Sequence, residues 1–231
     1  MSAKKLYTAV GRLVSQTNTQ GWACPIVLLR GKEHLLDLQE MQVWSCLNWR
    51  LIRREELSVL YESHVNNLQC SAPRTLDACL DRLVVRGLVV AGYGETEYDA
   101  LYDLLSSMFI IPVPANPILR LFTAAKLLAT KKLRPDTAKT LFRRDQRTPC
   151  EKRVMKLVKQ ALLSTAEIIL CMEIGVNKLS GSDSIVEDIY KDRNTTSDNI
   201  SALVKTAPCT QDVTATIANL YLRQQIIFDR V

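Results

Sequence analysis

Apolar positions between residues 71 and 94 follow a helical period and then switch to an extended run. Leu76, Leu80, Leu83 and Val84 recur at i, i+4, i+7 and i+8, which predicts a helix over 72–86 with one buried face. Ser71 can accept a first-turn N–H, and Pro73 suits an early helical position. Gly87 can end the helix in the left-handed conformation, after which Leu88-Val-Val-Ala predicts a strand. Upstream, Met41, Trp44, Leu47, Leu51 and Ile52 predict a helix over 39–52. Leu57, Leu60 and Tyr61 predict a second, opening at Arg54 and closing at Asn66-Asn67. Pro25–Arg30 and His34–Leu38 read as two strands joined at Gly31-Lys32, a hairpin. Before it, Leu6, Val10, Leu13 and Val14 suggest a short helix.

Downstream, Thr96-Glu-Tyr-Asp99 has the form of a capping box, opening a helix that buries Ala100, Leu101, Leu104, Leu105 and Met108. Phe109-Ile-Ile reads as a strand, and Pro112, Pro114 and Pro117 mark a boundary. Beyond it the pattern is helical at 117–132, 135–144, 149–174, 183–192, 197–206 and 210–228, with no repeat at a fixed period. The expected fold is mainly α. An N-terminal segment (1–21) precedes a module with a small hairpin or sheet (22–112), and an all-α helical domain (113–231) follows.

Three helices in succession and then a strand resemble a winged helix-turn-helix over about residues 24–112. That resemblance implies duplex DNA as partner, with helix 72–86 in the major groove presenting Ser71, Arg74, Thr75, Ala78 and Arg82. Arg74 would read guanine, and Thr75 a phosphate or a thymine methyl. Asp77 and Asp81, on one face at i and i+4, count against groove entry. The chain departs from the family pattern where a second wing strand belongs, because the helix at Thr96 intervenes. Pairing is then expected from a reduced wing, from Phe109-Ile-Ile or from the 25–38 hairpin. The stretch 24–88 also resembles the PqqD-type peptide-binding module, in which a peptide adds a strand to an exposed hairpin edge. That likeness implies the alternative, a non-enzymatic adaptor with a protein or peptide partner.

Charge sharpens the first reading. Residues 113–160 hold 13 basic and 3 acidic side chains, a net +10, whereas the whole chain carries +6. Within 126–159, Lys131, Lys132, Arg143, Arg144, Arg147, Lys152, Arg153 and Lys156 are candidate phosphate contacts. A composition of 47% hydrophobic and 23% charged residues excludes a fibrous or broadly disordered chain. No apolar window reaches membrane-spanning length, and no apolar stretch follows Lys4-Lys5 as in a signal peptide. Seven scattered cysteines without a CxxC pair suit reduced thiols in a cytoplasmic protein. His34 and His64 neighbour no nucleophile motif. Gly92-Tyr-Gly94 lacks the Lys-Ser/Thr of a phosphate loop. Neither catalytic residues, nor a metal, nor a cofactor is expected. The apolar faces of 149–174 and 210–228 suit a bundle core, with a homodimer through the C-terminal helices as a further expectation.

Overall fold

A computed structural model of the 231-residue chain describes residues 3–17, 23–65, 74–113, 147–176, 178–179, 189–190 and 194–230. In order these form β1 (Lys4–Ala9), β2 (Arg12–Thr17), β3 (Ala23–Leu29), β4 (Lys32–Leu35), α1 (Leu38–Leu47), α2 (Arg54–Val65), α3 (Leu76–Val85), β5 (Val89–Gly94), α4 (Glu97–Ser106) and β6 (Phe109–Pro112). Then come α5 (Pro149–Leu157), β7 (Leu163–Ser164), α6 (Thr165–Glu173), α7 (Ile200–Leu203) with a 3-10 turn at Val204–Thr206, α8 (Thr210–Leu222) and β8 (Ile226–Asp229). The strands make three small antiparallel sheets, ordered β1-β5, β2-β3-β4 and β7-β6-β8. The architecture is therefore mixed α/β, which overturns the expectation of a mainly α chain with an all-α second half.

Several sequence readings change with it. The apolar residues 6–14 fall in β1 and β2 and the turn between them rather than in a helix, β1 pairing with the distant β5 and β2 with the neighbouring β3. The segment 149–174 is not one helix: α5 ends at Leu157, β7 intervenes, and Ser164 opens α6 with a capping box to Glu167. The segment 210–228 bends at Gln224, which takes a left-handed φ of 58°, and continues as β8. Thr75, not Ser71, caps α3. The Gly87 turn (φ 72°) and the Thr96–Asp99 capping box stand as read, whereas the hairpin forms with its turn at Arg30-Gly31 and its return strand at Lys32–Leu35, not 34–38, because Asp37 caps α1 and Leu38 opens it. Ser71, Asn66-Asn67, the expected helices 117–132 and 135–144, and nearly all of 183–192 lie outside the described residues.

The two halves are built alike. In the first, Tyr7 of β1 pairs with Ile52, between α1 and α2, and with Ala91 of β5. In the second, Ile110 of β6 pairs with Leu163, between α5 and α6, and with Phe228 of β8. The place expected for a second wing strand beside β5 is thus taken by β1, from the chain's start. Val10 N–H donates to the Leu88 carbonyl and Val113 N–H to that of Gln225, both at 2.9 Å. After the last helix, Leu88 N–H returns to the Leu83 carbonyl and Gln225 N–H to Leu220, again both at 2.9 Å. Core positions coincide too: Val43 with Val154 and Leu57 with Ile168, all fully buried. Each half is a strand, a first helix, a short bridge, a second helix, a last helix and a closing strand.

The halves dock through Tyr221, on α8. Its hydroxyl accepts from Trp49 N–H (2.9 Å) and Thr8 Oγ1 (2.8 Å) and donates to the Ala9 carbonyl (3.2 Å). Trp49 itself has φ 55°, strained for a bulky residue, and its indole N–H reaches the Ile226 carbonyl at 3.3 Å. Gly11 N–H adds a 2.9 Å bond to Phe228. The position equivalent to Tyr221 in the first half is Val84, which faces solvent. Docking is thus one-way, with the last helix of the second half set against the first half's strand β1 and the turn after α1.

Replacing Tyr221 by Phe leaves Trp49 N–H without its partner, while Thr8 keeps the Arg50 carbonyl at 2.9 Å, and should cost about 1–3 kcal/mol in urea denaturation; unchanged stability would contradict this role. Burial raises the Tyr221 phenol from 10.0 to about 12. Between those values the unfolded chain releases the proton first, so stability should fall as pH rises from about 10 to 12. The fall should be shallower in Tyr221→Phe, though not absent, since Tyr102 is raised likewise.

Candidate nucleic-acid interface

The position of α3 is set by one buried carboxylate. Asp37 caps α1, its side chain accepting Gln39 and Glu40 N–H at 3.0 Å, and Glu40 at N3 completes the capping box. Glu40 is 1% exposed. It accepts from Arg82 Nε at 2.7 Å and Arg86 Nη1 at 2.7 Å, with Arg74 Nη1 at 3.9 Å. Arg86 also donates to the Leu35 carbonyl at 2.6 Å. Arg74 pairs with Asp37, and its backbone N–H donates to Gln39 Oε1 at 2.9 Å. Burial pushes the Asp37 carboxyl up, but Arg74 and the capped amides outweigh it and hold the group below its ordinary range. Both ends of α3 are thereby tied to the N-terminus of α1, and Leu76, Cys79, Leu80 and Leu83 fill the core beneath.

The outward face of α3 carries Thr75, Asp77, Ala78, Asp81, Arg82, Val84 and Val85. Thr75 uses its hydroxyl to cap Ala78 N–H at 3.3 Å. Arg54 at the start of α2 holds Asp77 in a two-point contact (2.8 and 2.5 Å), which keeps that carboxyl below the usual range. One of the two acids that count against groove entry is therefore matched within the protein; Asp81 has no partner among the described residues. Arg82 differs from its neighbours. It meets Glu40 through Nε alone, and its side chain is 58% exposed, so the terminal fork of the guanidinium stays outward. Arg74 and Arg86, by contrast, are held by carboxylate and carbonyl partners.

Of the basic tract, Lys131, Lys132, Arg143 and Arg144 lie outside the described residues. Arg147 donates to Gln225 Oε1 at 2.6 Å and Arg153 to the Val176 carbonyl at 3.3 Å, so both brace the second half. Lys152 and Lys156 are exposed one turn apart on α5, with Lys159 just beyond it, and none forms a salt bridge among the described residues. The buried N3 glutamate recurs here. Thr148 and Glu151 form the capping box of α5, and Glu151 accepts from Arg223 at 3.1 Å. Glu40, Arg86, Glu151 and Arg223 were not singled out by sequence reasoning. The usable signals were the two capping boxes, Asp37-Leu-Gln-Glu40 and Thr148-Pro-Cys-Glu151.

Other chemistry is sparse. Gly92 and Gly94 bring β5 against α4, where a Cβ would lie 2.3 Å from the Ala100 backbone, so this pair serves packing. A cleft of about 440 Å³ between β5, α4 and α7 is lined by Tyr93, Glu95, Asp99, Tyr102, Asp103 and Lys205. Two of its three acids are in use: Asp99 accepts from Thr96 N–H (3.2 Å) and Oγ1 (2.6 Å) in the capping box of α4, and Asp103 accepts Tyr93 N–H at 2.8 Å. Among the described residues no His, Cys, Asp and Glu cluster could hold a metal, and no helix is long and apolar enough to cross a membrane. No family model, curated protein or solved structure matches the chain.

Glu40→Gln keeps a capping residue at N3 but leaves Arg82 and Arg86 without their counter-ion, and should cost roughly 3 kcal/mol in chemical denaturation. Glu151→Gln releases one arginine and should cost about 1–2 kcal/mol. Negligible loss in both would show that neither carboxylate holds its helices.

Proposed function

We propose that the protein is a duplex-DNA-binding protein of the transcription-regulator kind and not an enzyme, with α3 meeting the major groove. The observation that carries this reading is Arg82. Its guanidinium is held by Glu40 through Nε, its Nη groups have no hydrogen-bond partner among the described residues, and its side chain is 58% exposed, which leaves the donors that bidentate contact with guanine O6 and N7 uses available. A second observation supports it: the lysines of α5 are exposed and form no salt bridge among the described residues, as a phosphate-contacting surface needs. Arg54 offsets the charge of Asp77, which eases the approach of a polyanion to α3. Two like units within one chain supply the doubling of contact that regulators commonly obtain by dimerising. The apolar face of α8 (Val213, Ile217, Leu220, Tyr221) is buried in the core, and a homodimer would have to use another surface.

One observation favours the alternative, a protein or peptide partner. Leu35 (61% exposed), Leu38 (57%) and Val85 (87%) are exposed apolar residues, and Arg86, which follows Val85, is anchored on the Leu35 carbonyl. Arg86 already occupies the outward carbonyl of Leu35, so strand addition at β4 would have to displace it.

Binding to mixed-sequence duplex DNA should weaken as salt rises, with a log–log slope of roughly −3 or steeper. Lys152→Ala with Lys156→Ala should reduce that slope by about 2 and weaken all sequences alike. A flat salt dependence would remove the DNA reading, and retained peptide capture abolished by Glu33→Pro would favour the alternative.

A further inference from the structure

We infer that α8 is a second DNA-contacting helix, equivalent to α3 and directed at a different base. The inference rests on the DNA-binding reading above and extends it to the half of the chain expected to be a plain helical domain. Arg86 and Arg223 fix the alignment. Each follows the last residue of its helix, each donates its backbone N–H back to the residue four before it (Arg82 and Asn219), and each side chain ends on the buried N3 glutamate of the first helix of its unit. Counting back from these arginines sets Arg82 against Asn219, Ala78 against Ala215, Thr75 against Asp212 and Arg74 against Gln211. Val85 corresponds to Leu222.

The exposed positions agree. Thr75, Ala78, Arg82 and Val85 face solvent on α3, and so do Asp212, Ala215, Asn219 and Leu222 on α8, with Gln211 also exposed. The flanks differ: the counterparts of Asp77 and Asp81 are Thr214 and Ala218, both buried in the second unit. What α8 shows outside is thus the strip that α3 uses for Arg82, without acidic counterparts of Asp77 and Asp81 and with Asp212 as its single acid. Its side chains are those that read bases. Asparagine and glutamine match adenine N6 and N7 as arginine matches guanine, and Asp212 can accept from a cytosine amino group. Neither Gln211 nor Asn219 has a side-chain partner among the described residues. α5, with the exposed Lys152 and Lys156, packs directly against α8 and puts cationic charge on the same unit. Duplex DNA suits that combination of amide side chains and neighbouring lysines.

The test is selection from a pool of randomised duplexes by the full-length chain, at a salt concentration where binding is measurable. Wild type should enrich two separated blocks, one centred on guanine and one on adenine. Asn219→Ala should lose the adenine preference alone, lowering affinity for the selected duplex roughly five- to a hundred-fold. Asn219→Arg should turn that adenine to guanine, and Arg82→Ala should lose only the other block. Because the Asn219 side chain is exposed, both of its variants should keep the wild-type urea midpoint. Enrichment of a single block, or two blocks unaltered by either Asn219 variant, would overturn the second surface while leaving DNA binding in place. Failure to retain any duplex would overturn both.

Discussion

A glutamate cut off from water needs hydrogen-bond donors or cations upon it, and the fold places one arginine-paired glutamate at the same point in each half. Glu40 and Glu151 each close the capping box of a first helix, and each receives the arginine that ends a last helix. The contact therefore spans two elements that are distant in sequence and fixes the angle between them. In the first half Arg74, Arg82 and Arg86 all gather near the same two carboxylates, leaving one positive charge in excess over Asp37 and Glu40. The side of α3 away from the core is left outward by this clamp. The clamp also orients the Arg82 fork, since a guanidinium held at Nε loses little further freedom on meeting a base edge.

Joining the halves imposes a second constraint. Tyr221 fills its hydrogen-bonding capacity with groups of the first half, and Trp49 takes a costly backbone conformation to reach it. In return the outer edge of β8 is covered by Gly11 and the Trp49 indole, so that sheet offers little to a stray strand there. The docking uses the flank of α8 that bears Tyr221 and leaves the Ala215–Asn219 strip open. Two presented helices and one internal interface are compatible because they use different sides of the same element.

Local signals carried the first half into view. Gly31 marks a turn that only a small residue makes easily, Gly87 ends α3 in the left-handed region, and Thr96 with Asp99 opens α4. The second half hides the same plan because its punctuation is weaker. Gln224 stands where the first half has Gly87, so the apolar spacing runs unbroken through a real turn. Ser164-Thr-Ala-Glu167 does carry a capping signature, masked by the apolar positions on either side of it. Strands β1 and β6 are centre strands whose partners lie tens of residues away, which no short window can report. For the same reason the arginines in and around α3 read as free cations in the sequence, although Glu40, more than thirty residues earlier, holds Arg82 and Arg86, and Asp37 holds Arg74. Arg82 and the α5 lysines could be nominated from the sequence; the clamp that distinguishes Arg82 from Arg74 could not.

These constraints yield a chain with two rigidly held helices, one bearing arginine and the other amide side chains, and a lysine face beside the second. Photo-crosslinking to duplex DNA from Ala78 and Ala215, each replaced by a photoreactive residue, addresses that arrangement most directly. Both alanines are exposed at the middle of their strips and lack any side-chain function of their own. The account predicts that both positions crosslink to DNA, and that added salt suppresses both. Crosslinking at neither position, while exposed residues elsewhere on the chain react, would contradict it.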